Sequence, residues 1–151
     1  ILSTLILIGI TFTTQAQEVG IRFGHVLSYE DKNKDKDAFN GVAIDGMFSS
    51  GQYSRLHADV AFGENAVGAE LLWDFLYKPV GSSDFKWYVG VGPSALIGND
   101  FWLGASGEVG IEYHFDGAPI AIGLDWRPTL WIVKDTEFRS GGFGLNVRYV
   151  F

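Results

Sequence analysis

Residues 141–151 read GGFGLNVRYVF. Phe143, Leu145, Val147, Tyr149 and Phe151 take every second position, with Gly144, Asn146, Arg148 and Val150 between them. Strict alternation predicts a strand with one apolar face and one mostly polar face. The last residues of soluble domains are usually polar and frayed, because nothing holds them down. Here the alternation runs on to a bulky aromatic. What has to be decided is whether the apolar face looks into a core or out into lipid.

Composition narrows the choice. The chain has 151 residues, enough for one domain with a real core. Charged residues make up 19% and aromatics 15%, with 20 glycines, a balance that favours strands and turns over helices. There is no cysteine, which excludes a disulfide framework and thiolate metal sites. A net charge of −7 argues against a nucleic-acid partner, since a phosphate-binding surface needs clustered Lys and Arg. The opening ILSTLILIGITFTTQAQ carries an apolar run from Ile1 to Phe12, followed by Thr14 and Ala16 at small-x-small spacing. It reads as a secretory signal peptide over residues 1–16 that lacks its methionine and basic start, which leaves residues 17–151 as the mature, exported domain. Twelve mostly apolar residues are too few to span a bilayer as a helix.

From Glu18 onward the pattern divides into eight alternating stretches: 18–29, 39–48, 54–63, 66–77, 86–96, 102–115, 119–132 and 141–151. The breaks EDKNKDKDA, SSGQY, GEN, KPVGSSDF, GND, FDGAP and KDTEFRS carry turn chemistry. Sorting by parity gives an apolar face without a charge. It includes Val19, Ile21 and Phe23, then Leu71, Trp73, Phe75 and Tyr77, and later Val109, Ile111, Leu124 and Trp126. The opposite face carries Arg22, Asp45, Arg55, Asp59, Glu70, Asp74, Glu108, Glu112, Asp125, Arg127 and Arg148. Glycines at 20, 24, 68, 90, 92, 104, 110, 123 and 144 are interleaved with these charges.

A soluble ligand-binding barrel would turn its charges outward, where lysine and glutamate are the easy choices. The mid-strand cations here are arginines, while lysines sit in turns, loops and strand starts. Arginine among many carboxylates suits a confined network of bidentate pairs. Glycines would only weaken a convex solvated face, whereas a concave face needs small neighbours for guanidinium groups reaching across it. The charged face is therefore expected inside and the apolar face in lipid. This is an all-β, eight-stranded antiparallel up-and-down transmembrane barrel with a polar, charge-networked interior.

The chain resembles the small eight-stranded outer-membrane β-barrels, the OmpA transmembrane domain and OmpX. In that family the final strand ends in an aromatic, preceded by apolar residues at alternate positions, and the barrel-assembly machinery reads this end. Leu145, Val147, Tyr149 and Phe151 match that pattern. The resemblance implies an outer-membrane location, periplasmic termini, a monomer in contact with outer-membrane lipid, and a role in envelope integrity or surface interaction. Loops 30–38, 64–65, 97–101 and 133–140 would then face outside, and turns 49–53, 78–85 and 116–118 the periplasm. Aromatic girdles are expected from Tyr29, Phe62 and Phe101 at the outer end. At the inner end they would come from Phe48, Phe75, Tyr77, Trp87, Tyr149 and Phe151. Pro93 and Pro128 fall inside strands, where each removes a ladder donor, so bulges or fraying are expected there.

No catalytic, cofactor or metal residue is assigned. DKNKDKD (31–37) opens like a calcium loop, but Lys36 stands where glycine is required and Val42 where the closing glutamate belongs. His57 near Asp59 and His114 near Glu112 share the inner face simply because residues two apart do. Parity turns His25 toward lipid, which predicts a bulge or altered register around it. The reading is a non-enzymatic integral outer-membrane protein. The enzyme alternative is a lipid A acyltransferase or deacylase, which needs a Ser or His with a carboxylate at the outer rim. A third, a soluble lipocalin-like periplasmic carrier, needs the opposite facing.

Overall fold

The computed structural model describes residues 16–27, 39–63 and 66–151. Eight antiparallel strands close into a barrel in chain order. They are β1 (Ala16–Leu27), β2 (Phe39–Ser49), β3 (Arg55–Phe62), β4 (Val67–Val80), β5 (Ser82–Ile97), β6 (Phe101–His114), β7 (Ile120–Val133) and β8 (Glu137–Val150). β1 closes the sheet against β8, running from Glu18↔Val150 to Gly24↔Gly144. No free edge remains along that seam, so its backbone groups are satisfied within the sheet. The starts of β1 and the ends of β8 lie at one end of the barrel, together with the turns at 50–54, 81 and 115–119. Residues 98–100 and 134–136 connect strands at the far end, where the end of β3 and the start of β4 also lie. Residues 1–15 of the expected signal peptide, Tyr29, loop 30–38 and residues 64–65 lie outside the described residues.

Burial alternates as the sequence does. Glu108, Glu112 and Asp125 are buried, while Val109, Ile111, Leu124 and Trp126 between them are exposed. Every strand turns large apolar side chains outward, from Val19 and Ile44 to Phe143 and Val147. The facing is thus apolar out and charged in.

Several departures from the expected pattern have local causes. A bulge between Asp74 and Leu76 resets the parity of β4. Tyr77, expected outside, therefore turns inward, opposite Tyr88. The stretch 78–85 is not a long turn: β4 runs on to Val80 and β5 restarts at Ser82. Gly81 sits between them with φ 70°, a conformation glycine adopts without cost, and the register shifts at once from Val80↔Ser82 to Pro79↔Lys86. Likewise β8 begins at Glu137, inside the expected loop 133–140.

Pro128 has its bulge, because Arg127↔Gly142 is followed by Thr129↔Arg139. Pro93 does not. It pairs with Ala105 of β6, while the β4–β5 register passes from Glu70↔Ser94 to Trp73↔Val91 without a shift. The expected irregularity beside His25 is present as a register shift between His25 and Leu27.

The interior has two zones. Toward the far end, Ala43, Ala61, Ala66, Leu96, Trp102 and Trp131 form an apolar cluster. The two indoles meet edge to face at 6.0 Å. The rest of the lumen, toward the end that carries the termini, holds the charges. The polar, charge-networked interior expected from the sequence is present, and the apolar cluster adds to it at the far end.

Candidate functional site

The lumenal charge network is the chemically distinctive part of the molecule. All eleven residues expected inside are buried: Arg22, Asp45, Arg55, Asp59, Glu70, Asp74, Glu108, Glu112, Asp125, Arg127 and Arg148. Alternation on seven strands carries them inward, and barrel closure brings together residues far apart in sequence. Arg22 on β1 donates from Nε to both oxygens of Asp125 on β7, at 3.0 and 3.1 Å, and from Nη2 to Oδ1 at 2.5 Å. Gly144 makes room for this pair. A Cβ there would strike the Arg22 guanidinium, which lies across the glycine.

Arg127 is the hub. Its Nη1 pairs closely with Asp59 and reaches Glu70 at 2.8 Å. Its Nε lies 3.1 Å from Glu108 Oε2, and Nη2 bonds Asp125 at 3.3 Å. His57 is completely buried beside it, with Nδ1 3.1 Å from Glu108 Oε1 and Nε2 3.3 Å from Asp45 Oδ2. A histidine expected to be an incidental neighbour of Asp59 is thus a second centre of the network.

A further group of side chains gathers nearer the terminus-bearing end. Arg55 holds Asp74 at 2.7 Å and both oxygens of Glu112 at 3.0 Å. Its guanidinium lies over the rings of Tyr77 and Tyr88, 4.0 and 4.6 Å from their centroids, in cation–π contact with both. Arg148 donates to Asp45 at 2.8 and 3.1 Å and to Glu112 at 3.1 Å. Asn146 adds a bond of 2.7 Å to Asp125.

Sequence reasoning missed several members. Glu18 shares the parity of Arg22 but was not placed on the inner face; it is buried. Tyr77 was hidden by the bulge. Ser94, Ser106 and Thr129 form a buried hydroxyl chain, with oxygens 2.6 and 2.7 Å apart, and Ser94 donates to Glu70 at 3.0 Å. Parity alone could have found that chain.

The balance of charge is uneven. Among the described residues, eight buried carboxylates (the seven expected ones and Glu18) face four buried arginines. Such a surplus makes the lumen attractive to cations. Leu145, Val147 and Tyr149 lie on the outward face of β8, and Phe151, just past it, is also exposed. No protein-family model and no curated protein matches the chain.

Proposed function

We propose that the protein is an integral outer-membrane β-barrel of the OmpA and OmpX kind, non-enzymatic and monomeric. Its role would be structural in the envelope or one of surface interaction. One observation carries this reading: exposed large apolar side chains stand on every strand of a barrel whose mid-strand charged side chains are buried inside. A soluble monomer rarely exposes a contiguous apolar patch beyond a few hundred Å². A bilayer is the solvent in which this facing is stable. The soluble-carrier alternative needs the reverse arrangement.

Girdle positions support the same reading. Phe62, Phe101 and Phe138 stand outward near the far end, and Trp87, Tyr113, Tyr149 and Phe151 near the other. With the termini periplasmic, Leu145, Val147, Tyr149 and Phe151 form the strip that assembly machinery would read. The non-enzymatic assignment rests on placement. The lumenal hydroxyls of Ser94, Ser106 and Thr129 bond one another and Glu70, and among the described residues none has a histidine partner. The buried apolar cluster at the far end argues against a general porin, whose lumen would be polar and water-filled.

The test is to express the full chain in a Gram-negative host and fractionate the envelope. The band should enter the outer-membrane fraction and migrate differently before and after boiling. A protein released in soluble form, with no heat-dependent shift, would refute the assignment.

A further inference from the structure

We propose a divalent-metal site at the mouth of the lumen, formed by Glu18, Glu112 and His114, with zinc as the fitting ion. The three side chains come from the first residues of β1 and the last of β6, at the end of the barrel that carries the termini. Each offers one ligand atom, and these atoms lie within 4.8 Å of one another. His114 Nε2 is 2.8 Å from Glu112 Oε1 and 3.5 Å from Glu18 Oε1. Those separations bracket the ~3.3 Å between donors that tetrahedral zinc requires at bond lengths of about 2.0–2.2 Å. The imidazole side chain is one-fifth exposed, so the site opens to solvent and leaves a position for water.

A second observation points to a missing partner. The Glu18 side chain is 6% exposed, and its Oε2 is buried without a hydrogen bond; its nearest cation is Arg148 Nη1 at 3.9 Å. A buried carboxylate oxygen in that condition is costly unless something positive meets it. Arg55 and Arg148 hold Glu112 Oε2 at 3.0 and 3.1 Å, which fixes the carboxylate. Its Oε1, besides a bond of 3.0 Å from Arg55, faces His114 and accepts from Tyr77 Oη at 2.5 Å. Tyr77 Oη also lies 3.4 Å from His114 Nε2, at the edge of the site.

The two other histidine–carboxylate clusters of the lumen do not offer this opening. Both depend on His57, whose ring nitrogens lie 3.0 and 3.2 Å from Arg127 Nη2, so a guanidinium already occupies the place of a cation. At the mouth, the polar partners of His114 are Glu112, Glu18 and Tyr77. The surplus of lumenal carboxylates over arginines draws cations toward that mouth. An imidazole with two carboxylates selects zinc over magnesium or calcium, which favour all-oxygen shells.

The experiment is calorimetric titration of the folded full chain with zinc chloride, repeated in excess magnesium. Wild type should take up one zinc ion per chain, and magnesium should not displace it. Glu18→Gln and His114→Gln, which leave the arginine pairs of Glu112 in place, should each weaken uptake by more than about tenfold. His57→Gln should keep it. The absence of saturable uptake by wild type at millimolar zinc would overturn the proposal. So would displacement by magnesium, or undiminished uptake by both mouth variants.

Discussion

Replacing Arg127 with methionine removes the hub of the network, and its neighbours differ in what they retain. Asp125 keeps Arg22 in a bidentate pair, and Asn146 as well. Glu70 keeps the Ser94 hydroxyl, and Glu108 keeps His57. Asp59 is left worst: among the described residues, beyond Arg127 it has His57 Nε2 at 3.5 Å, and its Oδ1 has no hydrogen-bond partner. Breaking a buried ion pair from one side costs about 3–5 kcal/mol, because an uncompensated charge stays behind. Most of that loss should fall on Asp59. Asp59→Asn in the Arg127→Met background should therefore recover about 1–3 kcal/mol, the scale of one buried polar group left unsatisfied. Asp125→Asn in the same background should recover nothing, since it also weakens the hold on Arg22. Urea unfolding of the barrel in detergent micelles, followed by tryptophan fluorescence, gives the free energies. If Asp125→Asn rescued Arg127→Met as well as Asp59→Asn does, the assignment of partners would be wrong.

Facing can be tested on β6, where Glu108 is buried and Val109 exposed. Val109→Lys should cost ~2–4 kcal/mol in a bilayer, as a basic residue near the midplane does, and a bilayer-depth quencher should reach a probe at 109 but not one at 108. Reversed accessibility would mean the barrel is inside out. Gly144→Val should drive a side chain into Arg22 and lose about 1–3 kcal/mol. Gly141→Ala, where a Cβ meets nothing within 4 Å, should stay within about 0.5 kcal/mol, and equal losses would refute the packing argument. In planar bilayers wild type should carry no steady current, while Trp131→Ala should open the far zone of the lumen. A wild type that conducts like its variant would show that the indole cluster is no seal.

Parity carried most of the architecture, because in a barrel each strand has one inner and one outer face and any charge betrays which is which. Parity fails at a bulge. Nothing in WDFLYK announces the extra residue near Phe75, so Tyr77 could not be placed. Pro128 did announce its irregularity. Pro93 did not need one, since the β4–β5 register simply passes it by. KPVGSSDF read as a turn from its composition, yet both strands extend into it, β4 up to Val80 and β5 from Ser82. Leu96 and Trp102 share the parity of inner residues such as Gly90 and Glu108, and Trp131 that of Arg127. The apolar zone was therefore written in the chain but overshadowed by the charges. Which arginine meets which carboxylate was not legible. It depends on strand stagger and on how far each guanidinium reaches across the lumen, and neither leaves a periodic trace.

Two of those pairs bear on how the barrel can be built. Arg22 meets Asp125, and Arg148 meets Asp45, across 103 residues of chain in each case. Each pair unites an element near the start of the sheet with one near its end. A half-finished sheet lying in a bilayer would turn guanidinium groups toward hydrocarbon with their counter-charges not yet in reach, at a heavy cost per group. The favourable order is to keep the inner face wetted until β1 and β8 zip together, so that closure and charge neutralisation are one event. Such a protein has no comfortable intermediate, and the same spokes that delay its closing make it slow to reopen.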